Sequence, residues 1–104
     1  MIDAAALPLD RAHFAMMTAD DTALQSEVAD LFRGQVEEWR AALAAPAAPS
    51  WSDAVHKLKG SARGIGLTQL ALACEAAEQA GPTEASSATV LAALENALRA
   101  LASY

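Results

Sequence analysis

Apolar residues along this chain recur in steps of three and four, the spacing of one helix face, with polar residues filling the positions between them. One stripe reads Leu24, Val28, Leu31, Phe32, Val36, Trp39 and Leu43; a second reads Trp51, Val55, Leu58, Ala62 and Ile65. A third reads Leu67, Leu70, Cys74 and Ala77, with Ala71 and Gly81 alongside, and a fourth reads Val90, Leu91, Leu94, Leu98 and Leu101. Helix breakers separate the stripes. Pro8 precedes a short first helix in "LDRAHFAMMT", and "TADD" from Thr18 to Asp21 supplies an N-cap for a long second helix running to about Ala44. The proline-rich "APAAPS" is a loop, and Ser50 is the expected N-cap of a third helix that ends around Gly64 to Gly66. A fourth helix is expected over about Leu67 to Ala80, stopped by Gly81 and Pro82, and a fifth over about Thr83 to Ala102. These elements predict an all-α protein: an antiparallel four-helix bundle with a short extra N-terminal helix capping one end.

Composition narrows the function classes. The chain has 104 residues, 54% hydrophobic and 19% charged, which fits one folded domain over residues 1–104 and excludes a disordered chain. A formal net charge of −6 argues against nucleic acid or an anionic membrane as a partner. Cys74 is the single cysteine, so no internal disulfide forms, as expected in a reducing cytoplasm. The N-terminal "MIDAAALPLDRAH" lacks the basic and apolar regions of a signal peptide, and no apolar run is long enough to span a membrane.

The segment "HKLKGSARGIGL", His56 to Leu67, breaks this pattern. At about 100° per residue, His56 lies about 140° from the centre of its helix's apolar stripe, Lys59 about 80°, Arg63 about 120° and Gly60 about 180°. His56 is therefore expected in solvent, with Lys59 beside it at i+3. Gly60 costs about 1 kcal/mol against alanine inside a helix, in a chain that uses alanine at most small positions. Its missing side chain lets another backbone approach. Lys57, Lys59 and Arg63 are three of only seven basic residues, and after His56 no acid of this helix lies three or four positions from Lys59 or Arg63. They predict a local positive site on a negative protein. An exposed imidazole in a bare, positive setting suits a phosphoryl group.

"HKLKGS" within this segment resembles the motif H-x-x-K-G-[ST/A] of the histidine phosphotransfer (HPt) domain family of two-component phosphorelays. His56, Lys59, Gly60, Ser61, Gly64 and Gly66 carry the resemblance, and the family's four-helix bundle with an extra N-terminal helix extends it over the whole chain. The resemblance implies that His56 is the phosphoacceptor, that Lys59 compensates phosphate charge, and that Glu78 orients the imidazole. Glu78 falls independently at the edge of its helix's apolar stripe, within reach of the third helix. Gly60, Ser61, Gly64, Lys57 and Arg63 would form the docking surface, Arg63 only as a member of the positive patch. The implied partners are receiver domains of response regulators or hybrid histidine kinases. The implied function is bacterial phosphoryl shuttling by a cytoplasmic monomer. No cofactor is expected, the Mg²⁺ coming from the receiver. An adaptor that binds receivers without phosphotransfer is the alternative.

Other residues carry less. No ATP-binding segment is present, which sets aside a complete histidine kinase, and the initiating Met with a full set of helices suggests a chain that works alone. "GIG" has no preceding strand or following Gly-Lys-Ser/Thr and is not a nucleotide loop. His13 reads as a boundary residue, Cys74 as a small core residue, and Trp39 and Trp51 as packing residues. Met16 and Met17 fit either the core or an adaptable docking surface. His13, His56 and Cys74 have no metal-ligand spacing.

Overall fold

The structure, a computed structural model, describes residues 7–104. Part of the segment expected to lack a signal peptide, residues 1–6, lies outside the described residues. The described residues form six helices and no strand: α1 (Arg11–Met17), α2 (Thr22–Gly34), α3 (Val36–Leu43), α4 (Ser50–Ile65), α5 (Thr68–Ala80) and α6 (Glu84–Leu101). Four of them close a ring in which α3 packs on α4, α4 on α5, α5 on α6, and α6 back on α3. This is the expected bundle. Its core runs from Trp39, Leu43, Trp51 and Val55 through Leu58, Leu70 and Cys74 to Val90, Leu94 and Leu101, all buried. At one end the Trp51 indole N–H donates to Ser87 Oγ at 2.9 Å, so the buried ring satisfies its one polar group.

The single long second helix expected to Ala44 is instead two. Gln35 interrupts it, its N–H reaching back only three residues to the Phe32 carbonyl at 3.1 Å. Gly34 before it is a poor helix former with open space where a Cβ would sit, so nothing there enforces a continuous helix. The buried line still crosses the interruption as Gln25, Ala29, Phe32, Val36, Trp39 and Leu43. That line corrects the predicted stripe. Leu24 and Leu31 are exposed and Val28 is only partly buried, because they lie one residue earlier, about 100° around the helix. Gln25 is admitted to the interior because its amide donates to Thr18 Oγ1 at 3.1 Å, whose hydroxyl in turn donates to the Phe14 carbonyl at 2.7 Å.

Caps explain the boundaries. The Asp21 side chain accepts from the N–H groups of Ala23 and Leu24, and Thr83 accepts from Ser86. Ser50, expected as a cap, is the first helical residue of α4, whose N-cap position is Pro49 with no side-chain bond. Gly66 ends α4 with φ 98°, and the N–H groups of both Gly66 and Leu67 donate to the Ala62 carbonyl, at 3.0 and 2.8 Å.

The short α1 packs on α4 and covers the end of the bundle where α4 and α6 finish. The Asp10 N–H donates to the Gly66 carbonyl at 2.8 Å, and Arg11 donates to the Tyr104 hydroxyl at 2.9 Å. Phe14 meets the Tyr104 ring edge-on at 4.8 Å. Met16 is 73% exposed and Met17 is also exposed, so neither belongs to the core. With Phe14 filling the inward position, the turn that follows points both thioethers outward.

Candidate functional site

Helix α4 has two faces of opposite character. Trp51, Val55, Leu58, Ala62 and Ile65 are all buried, as their spacing predicted, and they fix the rotation of the helix. That rotation places the His56 side chain 73% in solvent. The imidazole turns its Nδ1 toward α5, where Glu78 Oε2 stands 3.6 Å away, just beyond ordinary hydrogen-bond length. Nε2 is left on the far side of an exposed ring.

Glu78 serves two residues. Its other oxygen, Oε1, meets Lys59 Nζ at 2.5 Å. The Lys59 hydrogen bond, opposed by partial desolvation and aided by the charges of Lys59 and His56, holds the Glu78 carboxyl below the usual carboxylate range. One helical turn earlier on α5, Cys74 is buried beneath this group, its thiol pushed up to about 12 by burial and then by the negative charge of Glu78. Cys74 is thus the small core residue its spacing indicated.

The electrostatics differ from those predicted. Lys57 pairs with Asp53 at 3.0 Å, Lys59 with Glu78, and Arg63 with Glu75 at 3.4 Å. Three cations face three carboxylates, so the surface around His56 carries no excess positive charge. The sequence count missed this because two of the acids come from α5 and the third from the turn before His56. A register clue was present: Lys59 and Arg63, spaced i, i+4, can face Glu75 and Glu78, spaced i, i+3, across an antiparallel helix pair.

The glycines fit the expected bare surface. A Cβ built on Gly60 or Gly64 meets nothing within 4 Å. Ser61 beside them is half-buried. Gly60 and Gly64 line a shallow groove whose other wall includes Met17, Val28 and Leu31. The outward-facing leucine of α2 and a methionine of α1 therefore border the same surface as the glycines. His13 is half-buried at its end, with Nε2 3.2 Å from the Gly64 carbonyl. His13, His56 and Cys74 do not converge, and no cluster of three or more metal-ligating side chains occurs among the described residues.

The sequence pattern of the Hpt domain matches residues 23–104, more than half of the chain. The chain belongs to the Hpt domain family. No match is found among curated proteins or solved structures. Hpt domains carry out histidine phosphotransfer in two-component signalling and interact with phosphorelay kinases and receivers. In this Hpt domain the matched region contains His56, Lys59, Gly60 and Glu78, while α1 lies outside it. No helix among the described residues is long and apolar enough to cross a membrane.

Proposed function

We propose that this Hpt domain is an active phosphocarrier, in which His56 accepts a phosphoryl group from the phosphoaspartate of a receiver domain and passes it to a second receiver. The observation that carries this reading is the His56 ring: exposed, with Nδ1 turned to an ionised carboxylate and Nε2 on the open side. A carboxylate accepts but does not donate, so it favours the tautomer with hydrogen on Nδ1 and the lone pair on Nε2. That lone pair attacks phosphorus in line. The N–P bond forms as the P–O bond to the aspartate breaks, and its electron pair leaves on the receiver's carboxylate. The ring keeps the Nδ1 proton and gains positive character, which Glu78 offsets. The reverse sequence delivers the group to the next aspartate.

Phosphoryl transfer asks mainly for positioning and charge stabilisation, which suits so small a donor–acceptor. The Mg²⁺ for the reaction comes from the receiver's acidic pocket. Gly60, Ser61 and Gly64 form the floor on which the receiver docks, Lys57 and Arg63 lie at its edge, and Met17 and Leu31 give it an apolar border.

The test uses a phosphorylated candidate receiver. Label should pass to this chain in an acid-labile, base-stable form. His56→Gln should abolish labelling while helicity and melting temperature stay at wild-type values, since the side chain stands in solvent. A variant that still accepts label, or a wild-type chain that binds receivers and takes none, would replace this reading with that of a binding adaptor.

A further inference from the structure

Lys59 was expected to stand beside the phosphoryl group. Its placement points elsewhere. Its side chain is 17% exposed, against 73% for His56 and 56% for Arg63. It folds into the seam between α4 and α5, with its ammonium on Glu78 Oε1 at 2.5 Å. Along that seam, three α4 positions, His56, Lys59 and Arg63, face two α5 carboxylates, Glu78 and Glu75. Arg63 takes Glu75, and Glu78 is shared, one oxygen to Lys59 and the other toward the imidazole. The acid that faces Nδ1 is therefore the acid that holds Lys59.

The chemistry gives this sharing a consequence. As Nε2 bonds to phosphorus, both ring nitrogens become substituted and the ring gains positive charge, so a charged acceptor at Nδ1 lowers the barrier to phosphoryl acceptance. The acceptor is effective only while ionised and correctly aimed. A cation fixed to its other oxygen secures both conditions.

We infer that Lys59 is a positioning residue that acts on His56 through Glu78, holding the carboxylate ionised and aimed at Nδ1, rather than a cation that binds the transferring phosphoryl group. The inference rests on the reading of His56 as the phosphoacceptor, and it reassigns the route by which Lys59 takes part.

A double-mutant cycle separates the two routes. Transfer from one phosphorylated receiver is followed by rapid quench for wild type, Lys59→Met, Glu78→Gln and the double variant, with Lys59→Gln run beside Lys59→Met as a second way of removing the charge. Each single change should slow transfer on the order of tenfold, and the double variant should be no slower than Glu78→Gln alone. In Lys59→Met, the Glu78 carboxyl, followed by the NMR shift of its carboxyl carbon, should titrate closer to the ordinary glutamate range. If Lys59→Met still slows transfer by its full factor in the Glu78→Gln background, Lys59 acts on the phosphoryl group directly and the inference fails. It fails equally if the Glu78 titration does not move. A wild-type chain that takes no label removes the reading of His56 and this inference with it.

Discussion

Gly60 and Gly66 lie in one twelve-residue segment, yet the structure uses them for unrelated purposes. Gly66 adopts φ 98°, and a Cβ added there would sit 3.0 Å from His13 Cδ2 and 3.2 Å from the Asp10 carbonyl oxygen. Its N–H closes α4 onto Ala62, and its carbonyl receives the Asp10 N–H that seats α1. Everything that requires a glycine at 66 is inside the molecule. Gly60 is an ordinary residue in the middle of α4 with open space on every side of its missing Cβ. Nothing inside the molecule requires glycine there, and an alanine would make the better helix by about 0.5–1 kcal/mol. A residue that costs stability and gains nothing within the monomer fits a demand from outside it, such as the close approach of a docked receiver. The difference teaches that a glycine cluster in a motif combines a folding signal with a binding signal, and that only its surroundings separate them.

The largest effect that tests this contrast belongs to Gly66→Ala. A left-handed backbone costs a residue with a side chain roughly 1–2 kcal/mol, and the two tight contacts add to that. Unfolding in urea should show a loss of roughly 2–3 kcal/mol, with α1 loosened first because its anchor is the Gly66 carbonyl. An unchanged midpoint would mean that the turn relaxes freely, and the two glycines would no longer differ in kind.

Gly60 should behave in the opposite sense. Gly60→Ala should raise stability by about 0.5–1 kcal/mol. Gly60→Gln should leave the fold within about 0.5 kcal/mol of wild type and slow transfer from a receiver by about tenfold or more, through loss of close approach. Transfer by Gly60→Gln at the wild-type rate would remove docking as the reason for the glycine.

The same helix shows what the sequence alone makes legible. The core face of α4 could be read residue by residue, because five apolar positions at helical spacing leave one rotation that buries them all, and that rotation alone put His56 in solvent. The stops around Gly64 to Gly66 and at Gly81–Pro82 were equally readable, since local backbone chemistry decides them. The α2–α3 region was harder. Leu24, Val28 and Leu31 have the right spacing for a core stripe, and so do Gln25, Ala29 and Phe32 one residue later; only the direction from which the neighbours approach chooses between them. Alanine at 29 and a glutamine satisfied by Thr18 were chosen, which sent Leu31 outward to 64% exposure beside the glycine surface. The ion pairs were hidden for a related reason. Counting charges along α4 finds partners only on α4, whereas Lys59 and Arg63 are answered from α5. His56 and Glu78 were named from the motif and from an angle, but Lys59 bound to that same Glu78 needed the packed register.

The smallest effect concerns Glu78, which belongs to fold and site at once because its bridge to Lys59 ties α5 to α4. Its folded carboxyl titrates below the ordinary range, through Lys59 first and with a smaller part from His56. A carboxylate depressed in this way favours the folded state at any pH above the unfolded glutamate value, near ~4.3, and that favour is lost as pH falls through the depressed folded value. Glu78→Gln should therefore melt slightly below wild type at neutral pH, by a small margin because the side chain is 29% exposed and solvent screens the pair. The gap should stay constant down to about pH 5 and then close as the wild-type carboxyl gains its proton. Melting curves of the two proteins across that range decide the matter. A gap that persists at the acid end would mean that Glu78 supports the fold by packing alone, and the division between residues the fold requires and residues a partner requires would then extend to α5 as well.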